Sequence, residues 1–151
     1  MSNLVIRRGD PESSGAKRLL NASRELMQAL FPPESNHYLS ARELRGSDAL
    51  FFVAKIDGQT VGCAALALRD DHGEVKSMFV DPARRGARLG AKLLMHIESE
   101  ARARGLSTLR LETGDRLVAA QRLYLAQGFG YCGPFGDYTD DPRSRYMEKK
   151  I

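Results

Sequence analysis

Apolar residues recur along this chain with two periods, and the breakers between stretches mark where one period gives way to the other. Alternation over "LVIRR" (4–8) predicts a first strand. From Asp10 to Pro33 the spacing turns helical, with Leu19, Leu20, Leu26, Met27 and Leu30 on one face. Asp10 is expected to cap this helix, with Pro11 at its first position, Glu12 in its first turn and Pro32-Pro33 at its end. A polar stretch at 34–48 has room for one short helix at 40–45. Strand patterns then follow at 49–56, 60–69 and 74–81, joined by "DG" at 57–58, a strong hairpin signal, and by "DDHG" at 70–73.

The second half alternates in type. A helix is expected over 89–104, with Leu89, Leu93, Ile97 and Ala101 as its buried stripe and Gly105 as its stop. Glu98–Arg102 and Glu100–Arg104 are spaced for i,i+4 pairing in the favourable order. A strand at 107–113 completes a right-handed strand–helix–strand crossover. A helix over 115–127 stops at Gly128. Strands at 129–132 and 144–150 flank the loop "GPFGDYTDDPR". These elements amount to an α+β fold: a mixed, mostly antiparallel sheet of six to seven strands with about four helices.

Composition narrows the class. A chain of 151 residues, 42% hydrophobic and 28% charged, fits one folded domain spanning 1–151. It has no apolar run of membrane-spanning length, and "MSNLVIRRGDPESSG" lacks the apolar core of a signal peptide, so a cytoplasmic protein is expected. Cys63 and Cys132 stand in apolar strand-like runs and are expected as buried reduced thiols; without CxxC spacing, no metal site is expected. A net charge of +4 suits an anionic ligand, and no nucleic-acid or membrane partner is anticipated.

The candidate for that anion is "DPARRGARLGAKLL" (81–94), where Gly86 and Gly90 run into a helical pattern. The free N–H groups and positive dipole end of a helix start attract phosphate, and glycines allow close approach. The spacing fits neither a GxxxxGK[ST] loop nor GxGxxG. The order of "EVKSMFVDP", "RRGARLG" and an apolar helix, followed by "LETG" and "AAQRLYLAQGF", resembles the GNAT superfamily of CoA-dependent N-acyltransferases. The agreement in element order runs from residue 4 to 150.

That resemblance implies acetyl-CoA as acyl donor, no metal, and a primary amine of a small molecule, amino acid or peptide as acceptor; a homodimer is left open. It implies a cofactor site made of Met78, Phe79 and Val80, along which the pantetheine arm would run, and Arg85, Gly86, Ala87, Arg88, Leu89, Gly90 and Ala91, whose amides would hold the pyrophosphate. Backbone amides of Met78 and Phe79 would polarise the thioester carbonyl. Arg88 departs from the family pattern, which has glycine there. It is acceptable if it keeps helical dihedrals, and it then adds a phosphate contact, faces solvent or obstructs the site. Leu117 departs too, standing where relatives often carry Asn.

Thioester aminolysis needs a neutral amine, and a carboxylate of raised pKa can take its proton. Glu74 aligns with the glutamate that serves as base in several GNAT enzymes, and strand alternation puts it on the face of Met78 and Val80 unless a bulge intervenes. Tyr124 matches the tyrosine that protonates the departing thiolate. His37 and Tyr38 in one loop, and Phe135, Asp137 and Tyr138 in another, are the acceptor-site candidates, with His37 an alternative base. A non-catalytic CoA-sensing module is the competing reading.

Overall fold

The structure, a computed structural model, describes residues 3–86 and 88–151. Its strands are β1 (Leu4–Arg8), β2 (Ala49–Ile56), β3 (Gln59–Leu68), β4 (Gly73–Val80), β5 (Thr108–Gly114), β6 (Gly130–Cys132) and β7 (Ser144–Lys150), and its helices are α1 (Ser14–Leu30), α2 (Ala41–Arg45), α3 (Leu89–Ala103) and α4 (Val118–Ala126). The strands form one sheet in the order β1-β2-β3-β4-β5-β7-β6. All neighbours are antiparallel except β4 and β5, which the α3 crossover makes parallel. The expected α+β class and strand order along the chain therefore hold.

Local chemistry accounts for the boundaries. Asp57 (φ 50°) and Gly58 (φ 83°) both take left-handed backbone, the hairpin geometry that "DG" favours. The Ser40 hydroxyl accepts from the Glu43 N–H and the Glu43 carboxylate accepts from the Ser40 N–H, a capping box that starts α2. Two helix starts differ from expectation. Asp10 caps a turn instead of α1: its carboxylate accepts from Glu12 N–H at 2.9 Å and its carbonyl accepts from Ser13, so Pro11 and Glu12 lie in that turn. α4 begins at Val118, because Leu117 folds back to the Gly114 carbonyl at 3.1 Å and takes φ −88°, ψ 67°. Along α3 the Glu98–Arg102 pair forms at 3.3 Å. Glu100 and Arg104 make no ion pair among the described residues, and the Arg104 N–H closes the last turn of the helix.

The sheet is covered on both faces. Leu89, Leu93 and Ile97 of α3 and Tyr124 of α4 pack over Leu66, Val75, Leu109 and Leu111. Ala16, Leu19 and Leu20 of α1 and Leu44 of α2 pack over Phe51, Val53, Cys63, Ala65 and Phe79. β3 is accordingly buried along almost its whole length, as a strand covered on two sides must be. Cys63 is fully buried, and burial pushes its thiol up to about 12. Cys132 is only half-buried, because β6 is a three-residue edge strand, so the expectation of two buried thiols holds for one.

Two irregularities in β4 set up the site. Cys63 pairs with Phe79 but Ala65 with Lys76, so β4 carries one extra residue, and Ser77 takes left-handed backbone (φ 52°). The bulge switches faces: Val75 points to the α3 side before it, while Met78 and Val80 do so after it and Phe79 points to the α1 side. Beside it, β4 and β5 pair only at Gly73–Leu109 and Glu74–Arg110. Beyond that point the two parallel strands separate, leaving an edge of β4 open.

Candidate active site

The gap between β4 and β5 opens into a groove of about 640 Å³ bounded by the start of α3 and by α4. Met78, Phe79, Val80, Arg85, Gly86, Arg88, Leu89, Gly90 and Ala91 all line it; Ala87 lies outside the described residues. The Arg88 side chain does not cap α3, so the first N–H groups and positive dipole end of the helix are left available at the groove that its first residues line. Gly86 has φ 95°, a conformation only glycine adopts without strain. Gly90 is inside the helix and serves packing: a Cβ there would meet Leu123 Cδ2 at 2.7 Å, so glycine lets α3 approach α4.

Arg88 corrects an expectation. It is the N-cap of α3 with φ 60° and ψ 26°, in left-handed rather than helical backbone. A side chain with a Cβ is strained there by about 1–2 kcal/mol, which gives glycine at this position a physical reason. The arginine is exposed and lines the groove without filling it.

Glu74 also stands elsewhere than alternation implies. The Ser77 bulge lies between it and Met78, so the two face opposite sides of the sheet. Glu74 is 2% exposed and lines neither the groove nor the cavity next to it. Its Oε1 accepts from Arg69 Nε and Nη2 at 3.1 and 3.0 Å, and its Oε2 accepts from the Tyr138 hydroxyl at 2.5 Å. Lys76 Nζ lies 3.6 Å from Oε2 and donates to the His37 carbonyl at 2.6 Å and to Tyr138 Oη at 2.9 Å. Burial lowers the Lys76 ammonium pKa, and the Glu74 charge opposes that shift. Burial raises the Tyr138 phenol, and the adjacent Glu74 charge raises it further. This network fastens the loop after α1 and the loop before β7 to β4.

A cavity of about 140 Å³ adjoins the groove, sharing Met27, Met78, Leu117, Ala120 and Tyr124 with it. Tyr124 is 8% exposed, packs edge-on to Phe129 and has its phenol pushed up to about 12, by burial first and by the charge of Glu112 second. Glu112, from β5, lines the cavity; burial raises its carboxyl above the usual range, while the Ser144 hydroxyl, donating to Oε2 at 2.8 Å, pulls it back. Gly114, two residues on, lies against Phe31: a Cβ there would sit 2.2 Å from Phe31 Cζ. That contact seats the residues after α1 over the cavity.

Of the acceptor-loop candidates, His37 and Tyr38 line this cavity. Phe135, Asp137 and Tyr138 do not. Phe135 packs against His72, Tyr138 and Tyr146, Tyr138 is drawn to Glu74, and Asp137 is exposed, so that loop lies on the sheet beside the cavity wall. Sequence reasoning passed over Glu112, Lys76 and Arg143, which do line the cavity. Glu112 had a signal: an acid between the buried Leu111 and Thr113 of an alternating strand, inside the "LETG" stretch.

Residues 16–129 match the Acetyltransferase (GNAT) family. An IAA acetyltransferase of Azospirillum brasilense is 44% identical over 153 residues, covering 100% of both chains. A solved acyl-CoA N-acyltransferase structure from Klebsiella pneumoniae superposes with a TM-score of 0.82 at 32% identity, covering 97% of each chain. A PaiA N-acetyltransferase of Thermoplasma acidophilum, solved in complex with coenzyme A, shares the fold, with a TM-score of 0.77 at 19% identity over 99% of each chain.

Proposed function

Because the chain belongs to the GNAT acetyltransferase family, we propose that it moves an acetyl group from acetyl-CoA to a primary amine of a small molecule, amino acid or peptide. The observation that carries this reading is the continuity of the groove with the cavity that holds Glu112, joined at Met78 and Tyr124. The groove, with the uncapped start of α3 at one end, suits a long anionic donor. The cavity, with a buried carboxylate, suits an amine.

In this mechanism the pantetheine arm lies along the open edge of β4, and the acetyl group reaches the junction between groove and cavity. Glu112 takes the proton of the acceptor ammonium; a carboxyl raised by burial is closer in basicity to an amine than an ordinary one. The neutral nitrogen attacks the thioester carbonyl, the C–N bond forms, and collapse of the tetrahedral intermediate breaks the C–S bond. Tyr124, whose phenol stays protonated to about pH 12, supplies a proton to the departing sulfur and is reprotonated by the extra proton that the acylated nitrogen gives up. Glu74 is assigned a positioning role, holding Tyr138 and Lys76 in place.

The reading is tested by calorimetric titration with acetyl-CoA, followed by thiol release on a panel of amines. Acetyl-CoA is expected to bind, and thiol release is expected to depend on amine. Tyr124→Phe is expected to cut turnover about 10²-fold while leaving cofactor affinity within a factor of about three. Binding without amine-dependent thiol release would favour the CoA-sensing alternative. Unchanged turnover in the variant would remove Tyr124 from catalysis.

A further inference from the structure

The cavity next to Tyr124 holds two open charges of opposite sign. Its ionisable side chains include Lys76, Glu112 and Arg143. Lys76 is committed: its ammonium is held by the His37 carbonyl, Tyr138 Oη and Glu74, with its side chain 9% exposed. Glu112 is half committed, since the Ser144 hydroxyl occupies Oε2 and Oε1 has no protein partner among the described residues. Arg143 is an exposed lining residue, and its guanidinium has no hydrogen-bond or ion-pair partner among them. The acid nearest to it in sequence, Asp141, has its carboxylate engaged by the Ser35 hydroxyl at 2.6 Å and by the Arg143 backbone N–H at 2.9 Å.

An acceptor amine arrives mainly as an ammonium, and Glu112 meets that charge. Arg143 borders the same small space from its solvent side, and although its charge acts on Asp141 its guanidinium donors are left for a ligand to use. A guanidinium binds a carboxylate through paired, charge-assisted hydrogen bonds, and this is the group it suits best here. The cavity of about 140 Å³ is small and is lined by both residues. The apolar side chains of Met27 and Phe31 form another wall, where a non-polar substituent would sit.

We propose that the acceptor is a small zwitterion, an α-amino acid or a short ω-amino acid, whose carboxylate is bound by Arg143 while its amine faces Glu112. This rests on the acetyltransferase reading above and narrows its substrate class. It also makes Arg143 a specificity residue: it touches the acceptor away from the reacting atoms, so its loss acts on acceptor binding more than on the chemical step.

The test measures thiol release from acetyl-CoA with matched pairs: phenylalanine against phenethylamine, methionine against 3-(methylthio)propylamine, and β-alanine against ethylamine. The wild type is expected to favour the carboxylate-bearing member of at least one pair at least tenfold in kcat/KM. Arg143→Ala is expected to raise KM for that member at least tenfold, with kcat changed less than threefold, and Arg143→Lys to recover part of the preference. Calorimetric affinity for acetyl-CoA checks that both variants are folded. If carboxylate-free amines are turned over as well or better, or if Arg143→Ala lowers kcat/KM equally for both members, this inference is overturned and the acetyltransferase reading stands. If acetyl-CoA binds but no member of any pair releases thiol, the small-amine reading falls and this inference falls with it.

Discussion

Arg88 shows how one side chain can oppose its own backbone. The start of α3 needs a left-handed residue, which is why glycine suits this place, and arginine holds it under strain. Removing the strain is partly offset, because glycine gives the unfolded chain more freedom. Arg88→Gly is therefore expected to raise stability by about 0.5–1 kcal/mol, or about 2 °C in Tm, read by thermal unfolding without ligand. If the arginine also contacts a phosphate, the same variant binds acetyl-CoA more weakly. A variant that is both less stable and unchanged in affinity would contradict both statements. The residue was visible in the sequence as a departure from pattern, but its dihedrals were not, because a helix start can be reached with or without a left-handed N-cap.

Between elements, the decisive feature is the bulge at Ser77. Strand periods, hairpin turns and helix stripes were legible because each follows from local spacing: Leu89, Leu93, Ile97 and Ala101 are all buried as expected. A single extra residue in β4 is not legible in this way, since "EVKSMFV" reads as an ordinary strand. Yet it reverses which face each side chain takes, so Glu74 and Met78 part company and Glu112 on β5 becomes the cavity carboxylate. The contact between β5 and the end of α1 shows the same kind of dependence. Gly114→Ala would drive a methyl group into Phe31, and is expected to cost about 1–3 kcal/mol and to raise the acceptor KM by displacing the residues that roof the cavity. Chemical denaturation and acceptor kinetics check it; wild-type stability together with wild-type KM would show that Phe31 yields freely.

Across the whole molecule, three buried or half-buried charges meet where β4, β5, the loop after α1 and the loop before β7 converge: Glu74, Lys76 and Glu112, with the exposed Arg69 bonded to Glu74 from outside. Arg69 and Lys76 hold Glu74, which keeps its carboxylate engaged in structure, whereas Glu112 retains an oxygen open to the cavity. Only the folded chain makes that distinction, because both acids sit in strands with similar patterns and thirty-odd residues separate them.

The account turns on which of these two carboxylates takes the proton, and the pH dependence of kcat for wild type, Glu112→Gln and Glu74→Gln decides it. Glu112 must be ionised to act, and burial raises its carboxyl. Activity should therefore be present above that raised value and be lost as pH falls through it, along a limb lying above the usual carboxylate range. Glu112→Gln is expected to lower kcat by about 10²-fold or more and to abolish the limb, while Glu74→Gln keeps it. A limb that survives in Glu112→Gln and disappears in Glu74→Gln would contradict the account and return the base to β4.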